Sequence, residues 1–305
     1  MARRRAARSQ RSHPPFRRSA DSVTFPPNSG VTWEMSFGMN WTMPKPPDSF
    51  CSLERQRSQP STTMPSSYIT FSIDDGHPKD LNAAELLSKY DLKGTFYIPA
   101  TNPEREVMSA SQIRSIAQDF EVGAHTYGHR PLTRLPLETV RAEVANGKKW
   151  LEDIVGSEVI SFCYPRGEFS SRVVKVVSEC GFLGARTCMF NLTTFPKNPW
   201  LWGVTTHAYS HSPTIQIRHA LLERNYEGLV NYATHFRFAR DWERHFLYGM
   251  DLAKGNGGIS HLYLHSWELD EHGEWPKLEN LLAAVSHRNF VPVDNGELFR
   301  LRRHT

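Results

Sequence analysis

The stretch Tyr68-Ile69-Thr70-Phe71-Ser72-Ile73-Asp74-Asp75-Gly76-His77 is an apolar run of strand length that ends in two adjacent carboxylates and a glycine. Such a run predicts a buried strand that delivers acids to the mouth of a parallel sheet, where α/β folds keep their ligands. Two carboxylates side by side in a pocket repel, and one takes up a proton unless a cation lies between them. A metal ion is the simplest such cation, and it needs further ligands.

Gly123-Ala124-His125-Thr126-Tyr127-Gly128-His129 supplies two, directly after a second strand-like run over 120–122. His residues four apart lie on one face of a helical turn and suit two corners of a tetrahedral or octahedral site, with a carboxylate as third ligand. The spacing by itself says little, because the 14 His of the chain give three such pairs, 125/129, 207/211 and 261/265. His261 and His265 fall in the strand-like run 259–265, where four residues span roughly 13 Å, too far for both to hold one ion. His207 and His211 occupy a Ser/Thr-rich loop and read as solvated or as standing behind the ligands.

From Tyr68 onward strand-like and helix-like runs alternate. Residues 80–90 predict a helix with Leu81, Ala84, Leu87 and Ser88 on one face. Residues 137–155 predict a longer one, with Val140, Val144 and Leu151 at helical spacing and Gly156 as its stop. Strands are expected over 159–164, 183–187 and 290–293, and helices over 170–180 and 276–287. This alternation predicts an α/β fold with a parallel sheet under covering helices, open or closed into a barrel. No internal repeat is evident.

With 305 residues, 39% hydrophobic and 11% aromatic, the chain can bury a sizeable core. No apolar stretch approaches the roughly 18 residues that a membrane span needs, so no membrane partner is expected. The formal charge of +4 belongs to the N-terminus: residues 1–66 hold ten Lys/Arg against four Asp/Glu, which leaves −2 for the rest. A nucleic-acid surface on the folded part is therefore not expected. Residues 1–65 are rich in Arg, Ser and Pro without apolar periodicity and are expected to form a disordered arm, with the folded domain over 66–305. Met64 stands directly before the first strand, so the arm could be an over-extended start of the reading frame; a basic tail or a transit peptide are the alternatives. Cys51, Cys163, Cys180 and Cys188 show no Cys-x-x-Cys spacing and read as reduced thiols. Without a secretory apolar segment, a cytoplasmic protein is expected.

Five segments recur in a fixed order: Asp74-Asp75-Gly76, Gly94-Thr95-Phe96-Tyr97-Ile98-Pro99, His125-Thr126-x-x-His129, Phe162-Cys163-Tyr164-Pro165-Arg166-Gly167 and Leu262-Tyr263-Leu264-His265. Over roughly residues 66–300 the chain resembles the NodB-homology polysaccharide deacetylase family. The resemblance implies a distorted (β/α) barrel with fewer strands than the usual eight. It also implies a metal-dependent hydrolase that removes N-acetyl groups from an N-acetylated sugar or polysaccharide. Asp75, His125 and His129 are then the ligands of one divalent ion, zinc foremost, though the same set accepts Co, Ni, Mn or Fe. Asp74 becomes the general base toward the attacking water, His265 the general acid for the leaving amine, and the backbone N–H of Arg166 a donor to the oxyanion.

Two motifs depart from the family pattern. The Arg expected two residues before Pro165 is Cys163 here. Arg186, in the run Gly184-Ala185-Arg186-Thr187, is expected to replace it, because a strand residue can point into the barrel; the side chain of Arg166 is the other choice. The expected Asp-x-x-Asp-Trp motif is missing, Asp241-Trp242 being a superficial match, and Glu268 in His265-Ser266-Trp267-Glu268 is expected to orient His265 instead. These departures suggest a side branch with an unfamiliar substrate. Tyr164 and Trp267 are candidate substrate contacts; Trp200, Trp202 and Trp267 could form flat walls for a sugar ring but are equally at home in a core, and His77 reads as a solvated turn residue. The competing readings are a hydrolase of a small amide or cyclic imide on the same scaffold and a carbohydrate-binding homologue without catalysis. A base, three ligands and an acid together speak against the last.

Overall fold

Burial on both faces makes Tyr68–Asp74 (β1) the centre of the sheet: every residue after Tyr68 is buried. The structure, a computed structural model, describes residues 66–303, so the proposed arm, with Cys51 and Met64, lies outside the described residues. Seven further strands are described: β2 (Gly94–Ile98), β3 (Glu121–Ala124), β4 (Ser161–Cys163), β5 (Gly184–Arg186), β6 (Thr206–His207), β7 (Ile259–Leu264) and β8 (Val291–Pro292). All pairings are parallel, and the path runs β5-β4-β3-β2-β1-β7-β6. Parallel strands covered on both sides favour near-continuous apolar sequence, which is what β1 and β7 carry.

The sheet curls into a half-barrel. Seven strands lie on one path, and β8, two residues long, hangs from β1. One segment ties the two edges together. Trp202 N–H donates to Ala185 O and Trp202 O accepts from Thr187 N–H on the β5 side, while Thr205 and Ala208 donate to His261 and Tyr263 on the β7 side.

Helices wrap the curl: α1 (Asp80–Lys89), α2 (Ala110–Ile116), α3 (Leu137–Val155), α4 (Ser171–Ser178), α5 (Pro213–Leu222), α6 (Tyr226–Thr234), α7 (Trp242–Asn256), α8 (Ser266–His272), α9 (Trp275–Ser286) and α10 (Asn295–Arg303). The longest, α3, buries Val140, Val144, Gly147 and Leu151 at helical spacing and ends at Gly156, whose φ of 75° only glycine adopts without strain. No helix of the described residues is long and apolar enough to cross a membrane. Cys163, Cys180 and Cys188 are free thiols.

Register decides what meets at the mouth of the sheet. Asp74 pairs with Tyr97, Ile73 with Leu264, Ile98 with Ala124 and Cys163 with Arg186. The residues that end or follow these strands, Asp74, Asp75, His125, Arg186 and His265, therefore arrive at one end of the sheet. Trp202 does not: it packs with Phe299 and Leu298 in a small second core at the opposite flank. Trp200 packs against the main core. Of the two readings open for them, core packing and not a sugar wall is what the structure shows, because their stretch is used to close the curl.

Candidate active site

Asp74 ends β1 and is buried. The next residue, Asp75, turns left-handed with φ 77°, followed by Gly76 at φ 63°. A Cβ on Gly76 would lie 2.7 Å from Ile98 Cγ2, so glycine is required for space as well as for conformation. This turn aims the two carboxylates at different partners. Asp74 forms a buried ion pair with the Arg186 guanidinium through both carboxylate oxygens, and Cys163 Sγ lies 3.6 Å from Oδ2. Burial pushes the Asp74 carboxyl up, but Arg186, His125 and His265 outweigh it and hold the group below the usual range. Asp75 accepts from Trp267 Nε1 at 2.9 Å and faces His129 Nε2 at 3.0 Å and His125 Nε2 at 3.8 Å. Here too burial raises the pKa, and the His129 contact with the charges of His265 and His125 lowers it further than burial lifts it.

His125 and His129 do not share a helical turn. They sit in a loop after β3, with Thr126 at φ 67° and His129 at φ 49°. The loop is strapped to α3: Tyr127 N–H donates to Glu143 O, and Gly128 N–H to Glu143 Oε2 at 2.7 Å. Folding back in this way brings the imidazole centroids to 4.9 Å. His125 Nδ1 is bonded to Cys163 O at 2.8 Å, which fixes the tautomer and leaves Nε2 toward Asp75 with a free lone pair. Burial, reinforced by neighbouring His129, drives the His125 pKa down to about 4, so the ring is neutral at neutral pH.

His265 follows β7 and caps α8. Its Nδ1 donates to Glu268 Oε2 at 2.8 Å, and its Nε2 lies 4.0 Å from Asp75 Oδ2. Burial opposes its charge, yet Glu268, Asp75 and Asp74 prevail and push the pKa up to about 9. His207 is no solvated loop residue. It lies on β6, buried, with Nε2 2.9 Å from the same Glu268 oxygen, Nδ1 3.0 Å from His211 Nε2, and its ring stacked at 4.2 Å on Tyr263. Spacing along the chain held no sign of this, because the contact depends on β6 and β7 being neighbours.

Residues 61–185 match the family model described as polysaccharide deacetylase. Over this stretch, about two fifths of its length, the chain is similar to the polysaccharide deacetylase family. It is 24% identical over 117 residues to the Bacillus subtilis polysaccharide deacetylase homologue YxkH, a match covering 37% of this chain and 42% of that protein. It is 24% identical over 149 residues to the peptidoglycan-N-acetylglucosamine deacetylase of Bacillus cereus, covering 47% of this chain and 67% of that one. The chain thus aligns with about two fifths of the length of YxkH. Among solved structures, a polysaccharide deacetylase homologue from Mycobacterium smegmatis superimposes with a TM-score of 0.56 at 16% identity, over 80% of this chain and 93% of that one. This likeness shows a shared fold.

Against the family pattern, Arg186 stands beside Asp74 where the motif position carries Cys163. The side chain of Arg166 is not the substitute: in a turn with φ 58°, it pairs with Glu104 at the rim. Asp241 caps α7 and Trp242 is buried in the core, so neither reaches the site. Tyr164 is buried beside Phe162 and Phe169 rather than lining the cleft. Trp267 does line it, with its indole N–H tied to Asp75 and the Arg105 guanidinium 3.9 Å over its ring. His77 accepts from Lys79 N–H within its turn.

The ligand atoms of Asp75, His125 and His129 all lie within 4.8 Å of one another, and a neutral imidazole with a fixed tautomer is the donor a divalent cation needs. These residues fit such an ion. Asp74, His125 and Cys163 also converge, but Asp74 is taken up by Arg186. The cleft above has a volume of about 1030 Å³ and extends past Phe169 and Phe190 to His219 and Glu223. Glu223 was not foreseen from sequence; burial lifts its carboxyl to about 7, and its Oε2 has no hydrogen-bond partner among the described residues.

Proposed function

We propose that this protein is a metal-dependent hydrolase that removes N-acetyl groups from an N-acetylated saccharide. One observation carries the reading: a carboxylate kept ionised by Arg186 and an imidazole kept protonated by Glu268 flank the same Asp/His/His group. A divalent ion held by Asp75, His125 and His129 would supply Lewis acidity toward a carbonyl oxygen and a water molecule. Asp74 accepts the proton of the attacking water. The protonated His265 donates from Nε2 to the leaving nitrogen, while Glu268 at Nδ1 holds the ring's direction and charge. The backbone N–H of Arg166, in the turn after β4, is the proposed donor to the oxyanion. Acetate and a free amine result.

The relatives named for saccharide deacetylation support the substrate class, and so does the open cleft of about 1030 Å³, far more than a small amide or cyclic imide fills. The test is to incubate the metal-loaded protein with N-acetylated oligosaccharides and, in parallel, small amides and cyclic imides, following acetyl loss or water gain by mass spectrometry. Acetyl loss from saccharides is the expected result; turnover confined to the small amides or imides sinks the saccharide assignment.

A further inference from the structure

The helical hairpin between β6 and β7 buries Ala220 and Tyr232 yet turns several of its large apolar residues outward. Helix α5 buries Gln216 and Ala220 but leaves Ile215, Leu221 and Leu222 at 42%, 53% and 69% exposure. Gln216 is turned in to meet Asn191, Nδ2 to Oε1, at 3.4 Å. On α6, Tyr226 and Val230, one helical turn apart, are 65% and 59% exposed, and Phe238 beyond it is 49% exposed. Five of the ten large apolar residues exposed on the described surface fall in this one hairpin and a sixth, Phe238, follows it, which makes the patch a feature rather than scatter.

Position gives the patch its meaning. A shallow, open groove of about 410 Å³ lies on the face of α5, its lining residues Thr214, Ile217, Arg218, Leu221 and Leu222 all belonging to that helix. Arg218 and Leu222 also line the candidate catalytic cleft, so the groove adjoins it across these two side chains. The two differ in chemistry. Sugar rings are held by aromatic faces and converging hydrogen-bonding groups. The cleft has these, whereas the groove has no aromatic lining and only the Thr214 hydroxyl and the Arg218 guanidinium as polar groups. Its aliphatic walls suit methylene groups.

Resting on the deacetylase reading, we infer that the substrate is an amphiphile, an N-acetylated sugar bearing a hydrocarbon chain, and that the chain lies in the α5 groove while the acetamide is at Asp74, Asp75 and His265. Full burial of a methylene strengthens binding about fourfold, and a half-open groove gives about twofold.

The test compares methyl, hexyl and octyl glycosides of N-acetylglucosamine, below their micellar concentrations, on the wild type and on Leu221→Gln. Leu221 is exposed and outside the cleft, so the variant folds and keeps its kcat/KM on the methyl glycoside. The expected result is a KM at least about tenfold lower for octyl than for methyl in the wild type, with most of that advantage lost in Leu221→Gln. Equal KM across the series, or a chain-length advantage that Leu221→Gln leaves intact, overturns the proposal. Calorimetric binding of the same glycosides separates the two ideas. Chain-dependent binding that is abolished in Leu221→Gln, without turnover of any glycoside, keeps the groove and removes the deacetylase reading. Light scattering adds one more arm: a wild-type dimer that becomes monomeric in Leu221→Gln assigns the face to a second copy and overturns the proposal.

Discussion

The adjacent carboxylates at 74 and 75 are chemically alike, and only their surroundings divide their roles. Asp75→Asn is expected to lose bound metal, measured by elemental analysis, with partial rescue of turnover by added metal. Asp74→Asn should keep its metal and lose at least about 10²-fold in kcat, the scale of a removed base. It also leaves Arg186 buried without a counter-charge, which lowers stability by about 3–5 kcal/mol. Adding Arg186→Met to Asp74→Asn should therefore recover most of the melting temperature and none of the activity, since both buried charges are then gone. As the proposed general acid His265 has to carry its proton, so kcat/KM is expected to fall as pH rises through about 9. In Glu268→Gln the carboxylate that favours the imidazolium is absent. The falling limb should then move to lower pH by a unit or more, and a limb that stays in place removes Glu268 from this role.

At the scale of elements, the loop that carries His125 and His129 owes its shape to α3. A Cβ on Gly147 would lie 2.5 Å from Thr126 C, so the helix can approach the loop only with glycine there. Gly147→Ala should cost about 1–3 kcal/mol of stability and, because the displaced backbone carries both imidazoles, weaken metal binding measured by competition with a chelator. Alanine at the neighbouring exposed position, Asn146→Ala, is the control and should leave metal affinity unchanged. Sequence periodicity made α3 itself plain, with its Val140, Val144 and Leu151 stripe and its Gly156 stop, and the structure adds Gly147 to that buried face. It missed the loop, reading His125 and His129 as one helical turn, because left-handed φ at Thr126 and His129 leaves no trace in non-glycine sequence.

Across the whole molecule, several imidazoles are buried away from the cleft mouth. His245 donates or accepts one bond, with Thr206 Oγ1 at 2.7 Å, stacks on Phe236 at 4.3 Å, and is driven by burial down to about 3; His261 is likewise lowered to about 3. Their folded-state pKa values lie below the unfolded value of about 6.5, so the stability they contribute is present above that pH and is lost as pH falls toward 3, by about 1.4 kcal/mol per unit for each group. Thermal unfolding should show a melting temperature that drops steadily below pH 6.5, and His245→Gln should make that drop shallower. From sequence alone came the parallel α/β sheet, the strand ending in Asp74 and Asp75, α3 and the ordered set of motifs, because alternation, helical spacing and motif order are written along the chain. Between Arg166 and the preferred Arg186, the structure pairs Arg186 with Asp74 across 112 residues; tertiary structure alone decided that His207 joins Glu268 beside His265, that Tyr164 and Trp202 turn into cores, and that α5 presents leucines to solvent beside the cleft. Each of these depends on strand register and on the neighbours a side chain finds, and neither has a period that a linear pattern can carry.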